Sequence, residues 1–87
     1  MSGSRKILIV DDEGELREAL AEQLALYDEF EIVQAETAAR AVQIGKSDHL
    51  DLVIMDVGLP DMDGREAVKL MRKNGFKSPI IMLTGHD

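Results

Sequence analysis

Three short apolar segments, each followed at once by a polar residue, constrain the fold of this chain more than any other feature. The segments are residues 6–10 (apolar from Ile7 onward), 52–55 and 80–83, and they are followed by Asp11 and Asp12, by Asp56 and by Thr84. Apolar residues at successive positions are typical of strands that are buried on both faces of a parallel sheet. The pattern therefore predicts three strands of one such sheet, each ending beside a polar side chain.

Between these segments the apolar residues recur at helical spacing. In the first helix they follow the i, i+3, i+4 pattern, with Glu13 and Glu15 in the first turn; the members are Leu16, Ala19, Leu20, Gln23, Leu24 and Tyr27. A second strand is predicted at residues 31–35, where polar and apolar residues alternate as they do in an edge strand. Two further helices are predicted after it.

Local signals predict where those two helices begin and end. Thr37 is expected to cap the second helix, which ends near Gly45. Residues 63–66 (Asp-Gly-Arg-Glu) are predicted to form a capping box at the start of the third. Gly75 is the expected glycine just beyond its end.

The order of elements is therefore β-α-β-α-β-α-β, which favours a parallel sheet with helices on its faces. The fold class predicted is α/β, a flavodoxin-like parallel sheet of order 2-1-3-4 with three helices. In such sheets ligands bind beyond the carboxyl ends of the strands, near the point where the strand order reverses. That edge is the predicted functional site.

Three carboxylates are expected to meet there. Asp11 and Asp12 follow the first strand and Asp56 follows the third, with the hydroxyl of Thr84 after the fourth. Carboxylates held close together repel one another unless a cation is present. Oxygen ligands without imidazole or thiolate suit Mg²⁺, with Mn²⁺ as the second candidate. A single aspartate after a strand is often only a loop or capping residue, but three converging on one edge favour a metal site.

Composition narrows the class of protein further. Seventeen acidic against ten basic residues give a net charge of −7, which argues against electrostatic binding to nucleic acid or to an anionic membrane. The absence of cysteine excludes a disulfide framework and any thiolate metal site. The apolar runs are far shorter than the ~20 residues that span a bilayer, and the start does not resemble a signal peptide. The expected location is the cytoplasm.

These motifs resemble the receiver domain of two-component response regulators. The resemblance rests on residues 7–13 (Ile-Leu-Ile-Val-Asp-Asp-Glu), 55–64 (Met-Asp-Val-Gly-Leu-Pro-Asp-Met-Asp-Gly) and 81–85 (Ile-Met-Leu-Thr-Gly). It covers the chain from Lys6 onward. It implies a domain that assists its own phosphorylation and is not a turnover enzyme.

The resemblance also implies roles for individual residues. Asp56 would be the phosphoacceptor, taking a phosphoryl group from a histidine kinase or a histidine phosphotransfer protein. Asp12 and Asp56 would bind Mg²⁺ directly together with the backbone carbonyl of Gly58, and Asp11 would act through a metal-bound water. Thr84 would hydrogen-bond the phosphoryl group.

The chain departs from the family pattern in its length. Residues 1–4 are expected to form a flexible tail, and residues 5–87 a partial receiver domain that lacks strand five and helices four and five. The lysine that the family carries at the end of strand five is absent with them, and each lysine here falls on a helix or at the amino end of a strand. We therefore expect slow phosphorylation and impaired signalling.

Two other functions remain as alternatives to the interpretation of the chain as a phosphoacceptor. The chain could be a non-catalytic interaction or assembly module on a receiver scaffold, which Mg²⁺ titration would distinguish. A phosphatase of the haloacid-dehalogenase type would need an acid two residues after the nucleophile, where this chain has Gly58. Finally, a single helix is expected to cover one face of the sheet, so a homodimer or larger assembly is predicted through that face and the edge of strand four.

Overall fold

The computed structural model describes residues 4–83 and shows an alternating α/β domain built on one parallel sheet. Its strands are β1 (Arg5–Val10), β2 (Phe30–Ala35), β3 (Leu52–Asp56) and β4 (Ile80–Leu83). They lie in the order β2-β1-β3-β4, and every neighbouring pair is parallel. The predicted fold class and strand order are confirmed.

Three helices connect the strands: α1 (Gly14–Ala25), α2 (Ala38–Ser47) and α3 (Gly64–Lys73). The predicted start of α2 is confirmed, because the Thr37 side chain accepts a hydrogen bond from the Arg40 amide at 3.1 Å. The end of α3 is confirmed as well: Gly75 has a φ of +97°, a backbone conformation that favours glycine. No helix within residues 4–83 combines the length and apolarity needed to cross a bilayer.

The predicted capping box of α3 is only half correct. The Asp63 carboxylate does cap the helix, but it accepts the Arg65 amide at 2.8 Å and binds the Arg65 guanidinium as well. The Glu66 carboxylate lies instead 3.6 Å from the Lys69 ammonium, one turn along the exposed side of the helix. The Asp63 side chain therefore accepts the Arg65 amide, whereas in a capping box it would accept the amide of Glu66.

The sheet separates two apolar layers. On one face α2 and α3 pack against the sheet, and the core there includes Leu8, Val53, Met55 and Met71, each at most 1% exposed. On the other face α1 is the one helix, within residues 4–83, that covers a smaller cluster built on Ile7 and Ile9. Right-handed crossovers explain this division, because the chain reverses direction across the sheet after β2.

The inward face of α1 differs from the sequence prediction. Leu16 is 51% exposed, and Tyr27 lies beyond the end of the helix and is 56% exposed. The buried positions are Arg17 and Ala21, with Leu20 and Leu24 packed against the core beside them. The inward face therefore keeps Leu20 and Leu24 as predicted and includes Arg17, whose side chain is hydrogen-bonded there.

Candidate functional site

The carboxyl ends of β1 and β3 bring the predicted acidic residues together. These strands are neighbours, and Val10 lies opposite Met55 in their register. Asp11 and Asp12 follow Val10 directly, while Asp56 is the last residue of β3. The aspartates from the two strands therefore project at the same edge of the sheet, where the chain order reverses.

The three carboxylates form a compact group, which we call the acidic triad: Asp11, Asp12 and Asp56. Each offers a carboxylate oxygen, and these oxygens all lie within 4.8 Å of one another. Asp11 is buried, Asp56 is half-buried and Asp12 is exposed. The triad thus opens to solvent on the side of Asp12 and is closed behind Asp11.

Asp11 is held in place by its neighbours. Its backbone amide donates to the Ala35 carbonyl at 3.1 Å, which ties it to the end of β2. Its carboxylate oxygen Oδ1 accepts the Glu13 amide at 2.9 Å, which shapes the turn into α1. The turn that carries Asp11 and Asp12 is therefore anchored at both its main chain and a side chain.

The electrostatics of the triad act most clearly on Asp56. Burial raises the pKa of the Asp56 carboxyl above its usual value, and the neighbouring charges of Asp11 and Asp12 raise it further. Backbone amides of Gly58 and Val57 act in the opposite direction, because they stabilise the carboxylate. A cation among these oxygens would relieve the repulsion.

The loop after Asp56 turns back sharply to begin α3. The Gly64 amide donates to the Val57 carbonyl at 2.8 Å, and Gly58 lies opposite Asp63 in an antiparallel bridge. The hydrogen bond from the Gly64 amide is accepted by the Val57 carbonyl, and the Gly58 carbonyl takes no part in it. Leu59 is buried beneath the loop, while Pro60 is exposed.

A residue of this loop that sequence reasoning did not single out is Asp61. Its two carboxylate oxygens accept the backbone amides of Ala38 and Ala39, each at 2.9 Å. These bonds lower the pKa of the Asp61 carboxyl. Together with Thr37, Asp61 satisfies the first three amides of α2 and fastens the loop after Asp56 to that helix. Ala38 and Asp61 are separated by 23 positions in the sequence, which leaves no local signal for this contact.

Arg17 is the second residue that sequence reasoning missed. Its guanidinium donates to the Asp11 carbonyl at 2.8 Å, directly behind the triad. The only available signal was its spacing, since Arg17, Ala21 and Leu24 share one face of α1 at intervals of four and three residues.

Thr84 is the remaining predicted site residue. Thr84 lies outside the described residues, so its place relative to the triad is not described. Lys6 pairs with Asp48 at 2.9 Å at the opposite edge of the sheet, as expected for a lysine at the amino end of a strand. His49 contacts Asp51 at 3.1 Å, and its side chain is largely exposed there.

The donor set of the triad fits a hard divalent cation. It consists of carboxylate oxygens alone, which Mg²⁺ and Mn²⁺ accept readily. The exposed side of the triad leaves room for water, which Mg²⁺ usually retains among its ligands. Asp11, Asp12 and Asp56 are therefore the residues that could hold such an ion.

Comparison with known proteins places the chain in a family. The family model for the response regulator receiver domain matches residues 7–87. The regulatory protein AtoC of Escherichia coli K12 is 37% identical over 86 residues, covering 99% of this chain and 18% of that protein. Response regulator MprA of Mycolicibacterium vanbaalenii is 34% identical, covering 94% of this chain and 35% of that protein. The chain thus spans between about a fifth and about a third of the length of these curated relatives.

A solved structure is similar in the same way. The non-phosphorylated HemR receiver domain from Leptospira biflexa superposes with a TM-score of 0.84 at 31% identity. That match covers 93% of this chain and 64% of the HemR domain. The order of strands, the three motifs and these relatives agree, and the chain belongs to the receiver domain family of two-component response regulators.

Proposed function

We propose that this chain is a phosphoacceptor, in which Asp56 takes a phosphoryl group from a phosphohistidine in the presence of Mg²⁺. The observation that carries the proposal is the acidic triad at the carboxyl edge of the sheet, where three carboxylate oxygens lie within 4.8 Å of one another. Receiver domains of response regulators interact with histidine kinases, so a histidine kinase or a histidine phosphotransfer protein is the proposed donor.

The proposed transfer is a displacement at phosphorus. A carboxylate oxygen of Asp56 attacks the phosphorus atom and forms the new P–O bond. The P–N bond breaks with its electron pair staying on the ring nitrogen, so the histidine leaves as neutral imidazole when its other nitrogen carries a proton. What Mg²⁺ supplies when bound is neutralisation of negative charge on the phosphoryl oxygens.

In this proposal, residues of the chain hold the ion, shield the reacting carboxylate and hydrogen-bond the transferred group. Asp12, Asp56 and the Gly58 backbone carbonyl would hold the ion, and Asp11 would contribute through a water molecule. Half-burial of Asp56 shields the reacting carboxylate, while the exposed position of Asp12 leaves the donor a path of approach. Thr84 is proposed to hydrogen-bond the phosphoryl group after transfer.

Labelling with a small phosphodonor tests the acceptor assignment. The protein is incubated with acetyl phosphate and MgCl₂, and intact mass spectrometry counts the phosphoryl groups gained. We expect slow addition of one group that Asp56→Asn abolishes. The matched control Asp48→Asn removes a carboxylate at the opposite edge of the sheet and should leave labelling unchanged. Label that persists on Asp56→Asn would show that another residue is the acceptor.

Titration with MgCl₂ separates this function from a non-catalytic interaction module. Mg²⁺ binds the folded protein, so it should raise the melting temperature of the wild type by mass action. Asp12→Asn should remove that rise. A wild type whose melting temperature does not respond to Mg²⁺ would favour the interaction module.

We also propose that two copies associate through the face of the sheet that α1 covers alone. Leu16 of α1 and Ile81 of β4 are about half exposed on the described part of the chain. Ile9, Ile54 and Ile81 are register partners across β1, β3 and β4, so an apolar row runs to the edge strand of the sheet. A second copy would cover this row together with the edge of β4, the outermost strand of the sheet that residues 4–83 form.

A further inference from the structure

Arg17 is a buried charge in a protein whose net charge is −7. It lies in the first turns of α1 and is only 7% exposed. Arginine is rarely buried to this extent unless all of its guanidinium is paired, because an unpaired buried charge is costly. Its contacts therefore indicate what the side chain is for.

The guanidinium joins three parts of the fold. Its Nη1 donates to the Asp11 carbonyl at 2.8 Å, and its Nε donates to Gln34 Oε1 at 2.8 Å. Its Nη2 lies 3.7 Å from Glu36 Oε2. One side chain thus ties the start of α1 to the ends of β1 and β2, at the edge of the sheet that carries the acidic triad.

With Arg17 in place, Asp11 is held at three atoms. The backbone amide bonds to Ala35, the backbone carbonyl to Arg17, and Oδ1 to the Glu13 amide. Of the two carboxylate oxygens of Asp11, Oδ1 accepts the Glu13 amide, and Oδ2 takes part in none of these three bonds. These bonds fix the position and the orientation of the Asp11 carboxylate, and Arg17 supplies one of the two that act on the main chain.

We propose that Arg17 is a positioning residue for the cation site, acting through the Asp11 main chain without touching the ion. The inference rests on the proposed function, because it concerns the same triad. It follows from the general behaviour of metal sites, in which partners behind the ligands fix their orientation and strongly affect affinity. The planar fork of arginine suits this task, since it can serve a carbonyl and an amide oxygen at fixed angles.

Removal of Arg17 should change the Mg²⁺ affinity in opposite directions, depending on whether its positive charge or its positioning of Asp11 matters more. A positive charge behind the triad repels a cation, so its removal alone would tighten Mg²⁺ binding. Loss of positioning would weaken binding, because the turn that carries Asp11 and Asp12 would no longer be fixed. The direction of the change in Mg²⁺ affinity therefore reports the role of Arg17.

The test is an NMR titration with MgCl₂, followed through the backbone amides of residues 11–13 and 56–58 in the full chain. We expect Arg17→Met to weaken Mg²⁺ binding by about tenfold, the size typical of changes behind a metal ligand. Arg17→Lys keeps the charge but not the fork, and should weaken binding by a smaller factor. If Arg17→Met does not fold, Arg17→Lys carries the test alone.

Ile44→Ala is the matched control for a loss of stability. Ile44 is buried in α2 on the opposite face of the sheet, so its truncation lowers the melting temperature without touching the triad. Its Mg²⁺ affinity should equal that of the wild type while the protein is folded. An equal loss of affinity in this control, or unchanged or tighter binding in the folded Arg17 variants, would overturn the inference while leaving the proposed function standing. A wild type that binds no Mg²⁺ would overturn both.

Discussion

Gly64 lies directly against the main chain of Asp56. A Cβ atom added at Gly64 would stand 2.9 Å from the Asp56 carbonyl carbon and 3.1 Å from Val57 Cα. Cβ atoms are essentially never found under 3.0 Å from another heavy atom, and since the Asp56 carbonyl group is backbone, the main chain would have to move. The first residue of α3 is therefore a glycine because the strand that ends at Asp56 occupies the space of a side chain.

Substitution of Gly64 should therefore disturb both stability and the site. We expect Gly64→Ala to lower the free energy of unfolding by about 2 kcal/mol, the usual cost of inserting a methyl group into a filled space. It should also slow labelling of Asp56, since the displaced backbone carries the acceptor. Urea denaturation and the acetyl phosphate assay measure the two effects.

Gly14→Ala is the control for that substitution. Gly14 also begins a helix, but a Cβ there would have only Arg17 Nη2 within 4 Å, at 4.0 Å. Replacement should leave stability unchanged or raise it by less than about 1 kcal/mol, because alanine restricts the unfolded chain. An equal loss of stability in both variants would mean that helix geometry, and not contact with Asp56, explains the effect at Gly64.

Removing the charge of Asp56 should stabilise the protein in the absence of metal. Burial and the charges of Asp11 and Asp12 raise the pKa of Asp56 in the folded state above its ordinary 3.8. The folded protein then binds this proton more tightly than the unfolded chain, so stability falls as the pH rises through the window above 3.8. Asp56→Asn should therefore be more stable than wild type at neutral pH in EDTA, and the difference should vanish below pH 3.8.

Asp51→Asn is the control, because we expect it to change stability at neutral pH in the opposite direction to Asp56→Asn. The backbone amide of Lys6 donates to the Asp51 carboxylate at 2.8 Å and lowers its pKa. This substitution should therefore destabilise the protein at neutral pH. Urea denaturation of both variants checks the pair; destabilisation by Asp56→Asn in EDTA would contradict the repulsion argued for the triad.

The two hydrogen bonds between the Asp61 carboxylate and the Ala38 and Ala39 amides should stabilise the first turn of α2. Asp61→Ala leaves the amides of Ala38 and Ala39 without their carboxylate partner, so both should exchange with solvent faster and the melting temperature should fall. Thr37→Ala frees only the Arg40 amide and serves as a comparison. Hydrogen exchange measured by NMR distinguishes the two variants. If the Ala38 amide stays protected in Asp61→Ala, its hydrogen bond to Asp61 is not what stabilises this turn.

Asp63 should contribute a pH dependence of its own. Hydrogen bonds from the Arg65 side chain and amide lower the pKa of Asp63 from 3.8 to about 2. Its contribution to stability is therefore complete above pH 3.8 and is lost as the pH falls towards 2. A ¹³C titration of the carboxyl group should show a midpoint near 2, which Arg65→Met should raise. A midpoint that Arg65→Met leaves unchanged would mean that the side chain of Arg65 is not the cause.

Self-association should depend on the edge strand β4. Ile81→Lys places a charge on the half-exposed apolar row and should shift the protein from dimer to monomer in sedimentation velocity at micromolar concentration. Leu70→Lys, at a partly exposed position of α3, is the matched control because α3 packs on the opposite face of the sheet. A wild type that sediments as a monomer would contradict the proposed dimer.

The sequence by itself determined the architecture. Continuous apolar runs, helical periodicity and the alternating residues of the second strand were enough for the strand order β2-β1-β3-β4, because short crossovers of one hand allow few arrangements. The same order places Asp11, Asp12 and Asp56 at one edge. The capping roles of Thr37 and Gly75 were also local, and each could be recognised within one turn of helix.

Only the tertiary structure decided how that edge is built. Arg17 looks like a solvent-facing arginine in the sequence, and its inward position depends on two acceptors: the Asp11 carbonyl, just after β1, and the Gln34 side chain in β2. Asp61 caps a helix whose first residue lies 23 positions earlier, and Gly64 is required by a carbonyl eight residues earlier. Such contacts depend on distances across the packed sheet. A pattern of residue types along the chain carries no information about those distances until the strands and helices are in place.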